Sequence, residues 1–326
     1  MSGHFAHPRQ VGLPAPKEGT MVTLGALVPE QGDPGAAANG DQASKLKLQT
    51  PQELYELWER QHWRSQEIDF SQDKQDFANL SDEAKDSLVW VLSTFFIGEE
   101  RVTTQFSGLV MAYEDEHEES FLATQQVDEA RHMQFFDRFY REVIGIDDPD
   151  FEGRLSRVRE ELNEAFGKLF DEALVDAGKR LIADPSDRGA KIDFITTYHM
   201  VIEGALALTG QYFVTRFMEE NEIFPGFVEG FEHVARDEHR HVAYGTWYLQ
   251  QTAGEDDALA ERMQQKLQEL LPVAAGVLVP PGQDPTGEWE ILGYPSSEIT
   301  EFGFKSLSRR LKAIGVPLRA PQPAAA

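Results

Sequence analysis

The sequence predicts an all-α protein: a four-helix bundle core with additional helices packed around it. Two observations carry the prediction and a third agrees. One five-residue phrase occurs twice, as Asp128-Glu129-Ala130-Arg131-His132 and as Asp237-Glu238-His239-Arg240-His241. Each copy follows a long run of helically spaced apolar residues that contains an inward-looking glutamate, Glu99 at 30 residues before Glu129 and Glu203 at 35 before Glu238. No stretch of the chain shows sustained strand-like alternation.

Taken in order, residues 1–47 are rich in Gly, Pro and Ala and predict a flexible N-terminal arm. Thr50-Pro51-Gln52-Glu53 is a helix start, with a capping threonine, a proline in the first turn and a glutamate completing a capping box. Leu54, Leu57 and Trp58 give that short helix an apolar face, and residues 65–80 read as irregular. Ser81-Asp82-Glu83 opens a second helix running to about Tyr113, apolar all round near Leu92, Phe95 and Phe96 and therefore surrounded by other helices. A third helix covers about 116–145, and a packing helix covers 153–183. A fifth, 187–221, holds Tyr198, Glu203 and the run Gly204 to Gly210, whose small residues either let helices approach or leave room for a ligand. Pro225 starts a sixth helix with the second motif, ending near Gln251. An amphipathic helix over 255–279, a loop to Pro295 and a helix over 297–314 complete the domain of residues 48–316; residues 317–326 predict a disordered tail.

Lys+Arg 30 against Asp+Glu 56 leaves a net charge of -26, which repels phosphate backbones and anionic bilayers and argues against a nucleic-acid partner. The absence of cysteine excludes disulfides, thiolate metal sites and cysteine nucleophiles. The most apolar run, Leu88 to Gly98, is too short to span a bilayer, so an integral membrane protein is not expected. The opening residues lack a basic segment followed by an apolar one, so a cytoplasmic location is expected.

Within each motif, a glutamate and a histidine three residues apart share a helix face and can grip one metal ion. A lone Glu-x-x-His means little: Glu59/His62 and Glu114/His117 also match and read as solvated faces. Two copies of the longer phrase, each with a preceding glutamate, give four carboxylates and two imidazoles on four helices, the inventory of a dinuclear site. A carboxylate such as Glu99 inside an apolar stretch costs several kcal/mol unless paired or metal-bound. Asp128 and Asp237 are expected either to fix the histidine tautomers through the outer ring nitrogens or to be surface aspartates. Oxygen-rich, imidazole-capped sites suit iron and manganese.

The set Glu99, Glu129/His132, Glu203, Glu238/His241 resembles the ribonucleotide reductase small-subunit superfamily, a ferritin-like fold, over roughly residues 50–310. Where radical-bearing subunits have a tyrosine four residues after the first liganding histidine, this chain has Phe136. Val102 and Tyr198 match the positions joined as an ether in the small-subunit-like ligand-binding oxidases. That resemblance implies a manganese/iron site that activates O2, with Glu99, Glu129 and His132 on the manganese side and Glu203, Glu238 and His241 on the iron side. It also implies a Val102–Tyr198 cross-link, a long-chain fatty acid in an apolar channel, and a homodimer. Trp63 matches an electron-transfer tryptophan linked through Asp237 to His132, or else is a core residue. Regular helix geometry does not predict the ether, because Tyr198 would lie about 140° around the helix from Glu203. The competing readings are a radical-generating reductase subunit, a soluble acyl desaturase or N-oxygenase, and an iron-storage bundle.

Overall fold

The computed structural model describes residues 47–316; the rest of the predicted arm and the tail 317–326 lie outside the described residues. Helix α1 (Pro51–Arg60) starts on the predicted capping box, with Glu53 N–H donating to Thr50 Oγ1 and Thr50 N–H to Glu53 Oε2 at 2.8 Å. Residues 65–80 are not irregular: a 3₁₀ turn at Ser65–Glu67 leads into helix α2 (Ser71–Asn79). The apolar pattern hid α2 because its one buried residue is Asp73. This carboxylate accepts hydrogen bonds from Gly226 N–H at 3.0 Å and Phe227 N–H at 2.6 Å. It thereby caps a later helix whose own N-cap residue, Phe224, has no side-chain acceptor.

Helix α3 (Asp82–Gln105), capped by Ser81, stops at Phe106 and is followed by the short α4 (Ser107–Met111), so the second predicted helix is two. Helix α5 (Glu116–Phe139) begins on Asp115, which accepts from the N–H groups of His117 and Glu118, and runs through a π-helical turn to Gly145 in the left-handed region. The predicted packing helix is also interrupted. Helix α6 (Phe151–Arg159) ends before Asn163, which caps α7 (Glu164–Phe166), and a π-helical stretch, Gly167–Ala173, leads into α8 (Leu174–Ala183).

Helix α9 (Arg188–Ile195) passes into twelve π-helical residues, Thr196–Ala207, and then α10 (Leu208–Glu220). Helix α11 (Pro225–Glu255) begins on Pro225 as predicted, and α12 (Asp257–Val277) follows. A two-residue antiparallel pair, β1 (Glu290–Ile291) with β2 (Tyr294–Pro295), precedes α13 (Ser296–Ile314). The all-α expectation holds, with this hairpin as its one small exception among the described residues.

The central bundle is α3, α5, the continuous α9–α10 rod and α11, with α3 packed on α5 and α11 on the π-helical segment. Its aromatic centre includes Phe95, Phe135, Phe136, Phe227 and Phe231, with ring centroids 4.9–6.0 Å apart in mostly edge-on or tilted pairs. Phe136 belongs wholly to this apolar nest. The small-residue run after Glu203 does both things the sequence left open. A Cβ on Gly204 would meet the Arg310 side chain of α13 at 3.4 Å, while Leu206, Ala207, Thr209 and Gly210 line a cavity.

Candidate metal centre

Each motif projects inward from the middle of a long helix, and both glutamate-histidine pairs are buried. Glu99 comes from α3, Glu129 and His132 from α5, Glu203 from the π-helical segment, and Glu238 and His241 from α11. Their side-chain atoms form two overlapping clusters, Glu99/Glu129/His132/Glu238 and Glu129/Glu203/Glu238/His241, with donor atoms within 4.8 Å of one another in each. Glu129 and Glu238 belong to both. His132 Nδ1 lies 3.5 Å from Glu99 and 3.3 Å from Glu238; His241 Nδ1 lies 3.0 Å from Glu129 and 3.2 Å from both Glu203 and Glu238.

The outer nitrogens face away from this centre. His132 Nε2 is 3.2 Å from Asp237, and His241 Nε2 is 3.3 Å from Asp128. Each aspartate also accepts an indole N–H, from Trp63 to Asp237 at 2.7 Å and from Trp58 to Asp128 at 2.8 Å. Two guanidiniums lie between them. Arg240 donates to Asp128 at 2.9 Å and to Asp237 at 2.6 Å, and Arg131 donates to the same pair at 2.8 and 3.4 Å. Trp58, Arg131 and Arg240 were not singled out from the sequence, although the arginine is the fourth letter of both motif copies. Glu59, His62 and His117 are exposed, and Glu114 turns to Lys191 at 3.2 Å, so neither chance match joins the cluster.

Electrostatics test whether these residues fit metal. Burial pushes Glu99 and Glu203 well above the usual carboxylate range, aided by the charges of Glu129 and Glu238, although the histidines pull in the other direction. Burial would drive His132 and His241 down, but surrounding carboxylates, with Glu99 and Glu203 foremost, hold both well above the usual imidazole range. Carboxylates and imidazoles crowded together out of water are the donor chemistry that suits a cation. His132 Nδ1 and Glu203 Oε2 are buried with no hydrogen-bond partner, which fits both as ligand atoms. Four carboxylates match the charge of two divalent cations, and the two outer aspartates match the two guanidiniums.

Tyr198 donates its hydroxyl to Glu129 and accepts from Gln125 at 3.0 Å, and burial with the nearby carboxylates pushes its phenol well above the usual range. The difficulty posed by the 140° separation disappears in the π-helical segment, where backbone bonds close at i+5: Leu208 N–H donates to the Glu203 carbonyl. Tyr198 and Glu203 are themselves five apart and so lie one turn from each other. Both line a largely apolar cavity, as do Glu99, Glu129 and Glu238. Val102 is buried on the same wall, and Trp90, Phe170 and Phe213 continue the lining away from the carboxylates.

Ligands of this kind and number, spread over four bundled helices, define the class of dinuclear carboxylate proteins. The family model described as ribonucleotide reductase, small chain, matches residues 42–317, and the chain belongs to that family. It is similar to the solved structure of an R2-like ligand-binding oxidase with aerobically reconstituted Mn/Fe cofactor, at 29% identity and a TM-score of 0.71 over 85% of this chain and 98% of that one. Two point variants of an R2-like ligand-binding oxidase with anaerobically reconstituted Mn/Fe cofactor also match. One is 29% identical, with a TM-score of 0.71 over 85% and 98% of the two chains. The other is 30% identical, with a TM-score of 0.68 over 83% and 100%. No described helix is long and apolar enough to cross a membrane.

Proposed function

We propose that this chain is a dinuclear manganese/iron oxidase that uses O2 for a two-electron oxidation, joins Tyr198 to Val102, and holds a long-chain fatty acid in its apolar cavity. The supporting observation is one cavity that brings together four of the six buried donor residues, Val102, Tyr198 and an apolar wall. When bound, the metal pair supplies dioxygen activation and the oxidising power for the step.

The protein's own residues do the rest. Glu99, Glu129 and His132 would hold one metal ion, and Glu203, Glu238 and His241 the other. The Asp237 and Asp128 carboxylates keep a proton on each histidine Nε2, leaving Nδ1 free to ligate. Glu129 accepts the Tyr198 hydroxyl and can take up its proton when the ether forms. Balance requires the Tyr198 O–H and Val102 Cβ–H hydrogens to leave with two electrons, which the oxidant accepts. The apolar wall takes the hydrocarbon tail of an amphiphile whose carboxylate head points to the centre, and it excludes water from it. A homodimer in the cytoplasm is the setting we propose. In this reading Phe136 carries no redox role, since it has no phenol and sits among other phenylalanines.

Family membership also supports a radical-generating reductase subunit. Aerobic loading with manganese and iron, followed by peptide mass spectrometry, separates the two. The expected result is a Val102–Tyr198 linked peptide lacking two hydrogens, absent from Tyr198→Phe and from an anaerobic sample. Unlinked peptides together with radical formation only beside a reductase partner would favour the subunit instead.

A further inference from the structure

Beyond the six donor residues, each histidine's outer nitrogen leads to an indole through one carboxylate. In one chain Trp63 donates to Asp237 at 2.7 Å and Asp237 lies 3.2 Å from His132 Nε2, the linkage that the resemblance implies as the alternative to a plain core tryptophan. A second chain repeats it on the other motif copy: Trp58 Nε1–H donates to Asp128 Oδ1 at 2.8 Å, and Asp128 Oδ2 lies 3.3 Å from His241 Nε2. His241 Nδ1 then faces the second cluster.

The two chains differ in their outer ends. Trp63 is 6% exposed, whereas Trp58, on the outer helix α1, is only half-buried among the described residues. Its ring lies 6.1 Å from Tyr55 and 6.3 Å from His62, centroid to centroid. A purely structural role for the Trp58 hydrogen bond would leave unexplained why a partly solvated aromatic chain ends on a buried ligand histidine.

We propose that Trp58, Asp128 and His241 form an electron route between solvent and the second ligand cluster, with Trp58 as its surface-facing redox residue. The inference rests on the dinuclear reading above. A centre oxidised by two electrons needs two electrons to return, and a one-electron reductant in solution supplies them in two events. In each event Trp58 loses an electron inward and is refilled by one reductant molecule, which is oxidised. The indole proton is shared with the Asp128 carboxylate while the ring is oxidised and returns with the electron, so no net proton moves along the route. Arg131 donates to the same Asp128 oxygen as the indole and Arg240 to the other, so both guanidiniums hold the carboxylate in position.

The test uses the full chain loaded with manganese and iron and oxidised in air. Metal content is measured first, then the centre is mixed anaerobically with reduced methyl viologen and the decay of its absorption is followed by stopped flow. Trp58→Phe is expected to slow reduction by about tenfold or more with two metals still bound, equivalent to about 1.4 kcal/mol on the barrier. Trp63→Phe is expected to have a smaller effect, and Trp58→Tyr, which keeps an oxidisable ring, to recover part of the rate. If Trp58→Phe loses metal, Trp58→Tyr carries the comparison through its rate relative to Trp63→Phe. A wild-type rate in Trp58→Phe with two metals bound overturns the route and leaves the dinuclear reading intact. A wild-type chain that binds no metal pair overturns both.

Discussion

Arg131 and Arg240 occupy a motif position that helical spacing assigns to no ligand, yet they hold together everything behind the two histidines. Burial alone would raise the Asp237 carboxyl, but hydrogen bonds from His132 and Trp63 and the Arg240 charge keep it well below its usual range. A carboxylate kept ionised in this way polarises the imidazole in front of it and strengthens Nδ1 as a donor. Asp128→Asn preserves the shape and removes the charge. It is expected to weaken metal binding at the His241 cluster by about 10–100-fold, measured by competition with a chromophoric chelator; unchanged affinity would remove the aspartates from the account. The glutamate-histidine pairs were legible because a repeated phrase is rare and its spacing has one helical meaning. The role of the arginines was not, because a charge beside acidic residues usually means a solvated helix face. Trp58 was read only as an apolar contact of its helix, since nothing in α1 itself names a partner 70 residues away.

At the level of elements, long helices followed from apolar spacing and caps, and the misreadings have specific causes. Helix α2 was missed because its inward residue is the acid that caps α11. The breaks at Phe106 and before Asn163 fall where apolar spacing continues through a change of direction, which periodicity does not report. Nor does it distinguish an i+5 ladder from an i+4 one, so the segment that aligns Tyr198 with Glu203 reads as ordinary helix. The helix carrying Glu203 is anchored at its start by Asp193, which receives two 2.8 Å bonds from Arg262 on α12 and one of 2.8 Å from Arg180 on α8. Burial pushes the Asp193 carboxyl up, but the two arginines outweigh it and leave it below its ordinary value. A depressed folded value means that the stability it contributes is complete above the unfolded carboxyl's range and is lost as pH falls through the folded one. Asp193→Asn is therefore expected to lower stability near neutral pH and to flatten the acid limb below about pH 4, followed by denaturant titration at several pH values. A mutant curve parallel to wild type through that range would show that the two arginines do not couple to folding.

For the molecule as a whole, a chain of net charge -26 folds with four of its own carboxylates crowded together in the buried centre of the bundle. Cations that bind the folded form and not the unfolded one stabilise it by mass action, by about 2.7 kcal/mol at a hundredfold excess over Kd. Thermal melts with added manganese and iron are expected to give a higher Tm than melts in excess chelator, and equal values would argue that the cluster takes up no metal. The cavity draws most of its wall from the donor helices and completes it with segments outside the central bundle. Its far walls include Val277 and Leu278 at the end of α12, Ile291 of the hairpin and Ile299 of α13, all outside the central bundle. Part of the cavity wall is thus written in segments that contribute no donor. A descendant that kept the inner helices but rebuilt its C-terminal quarter would inherit all six donor residues beside a reshaped chamber.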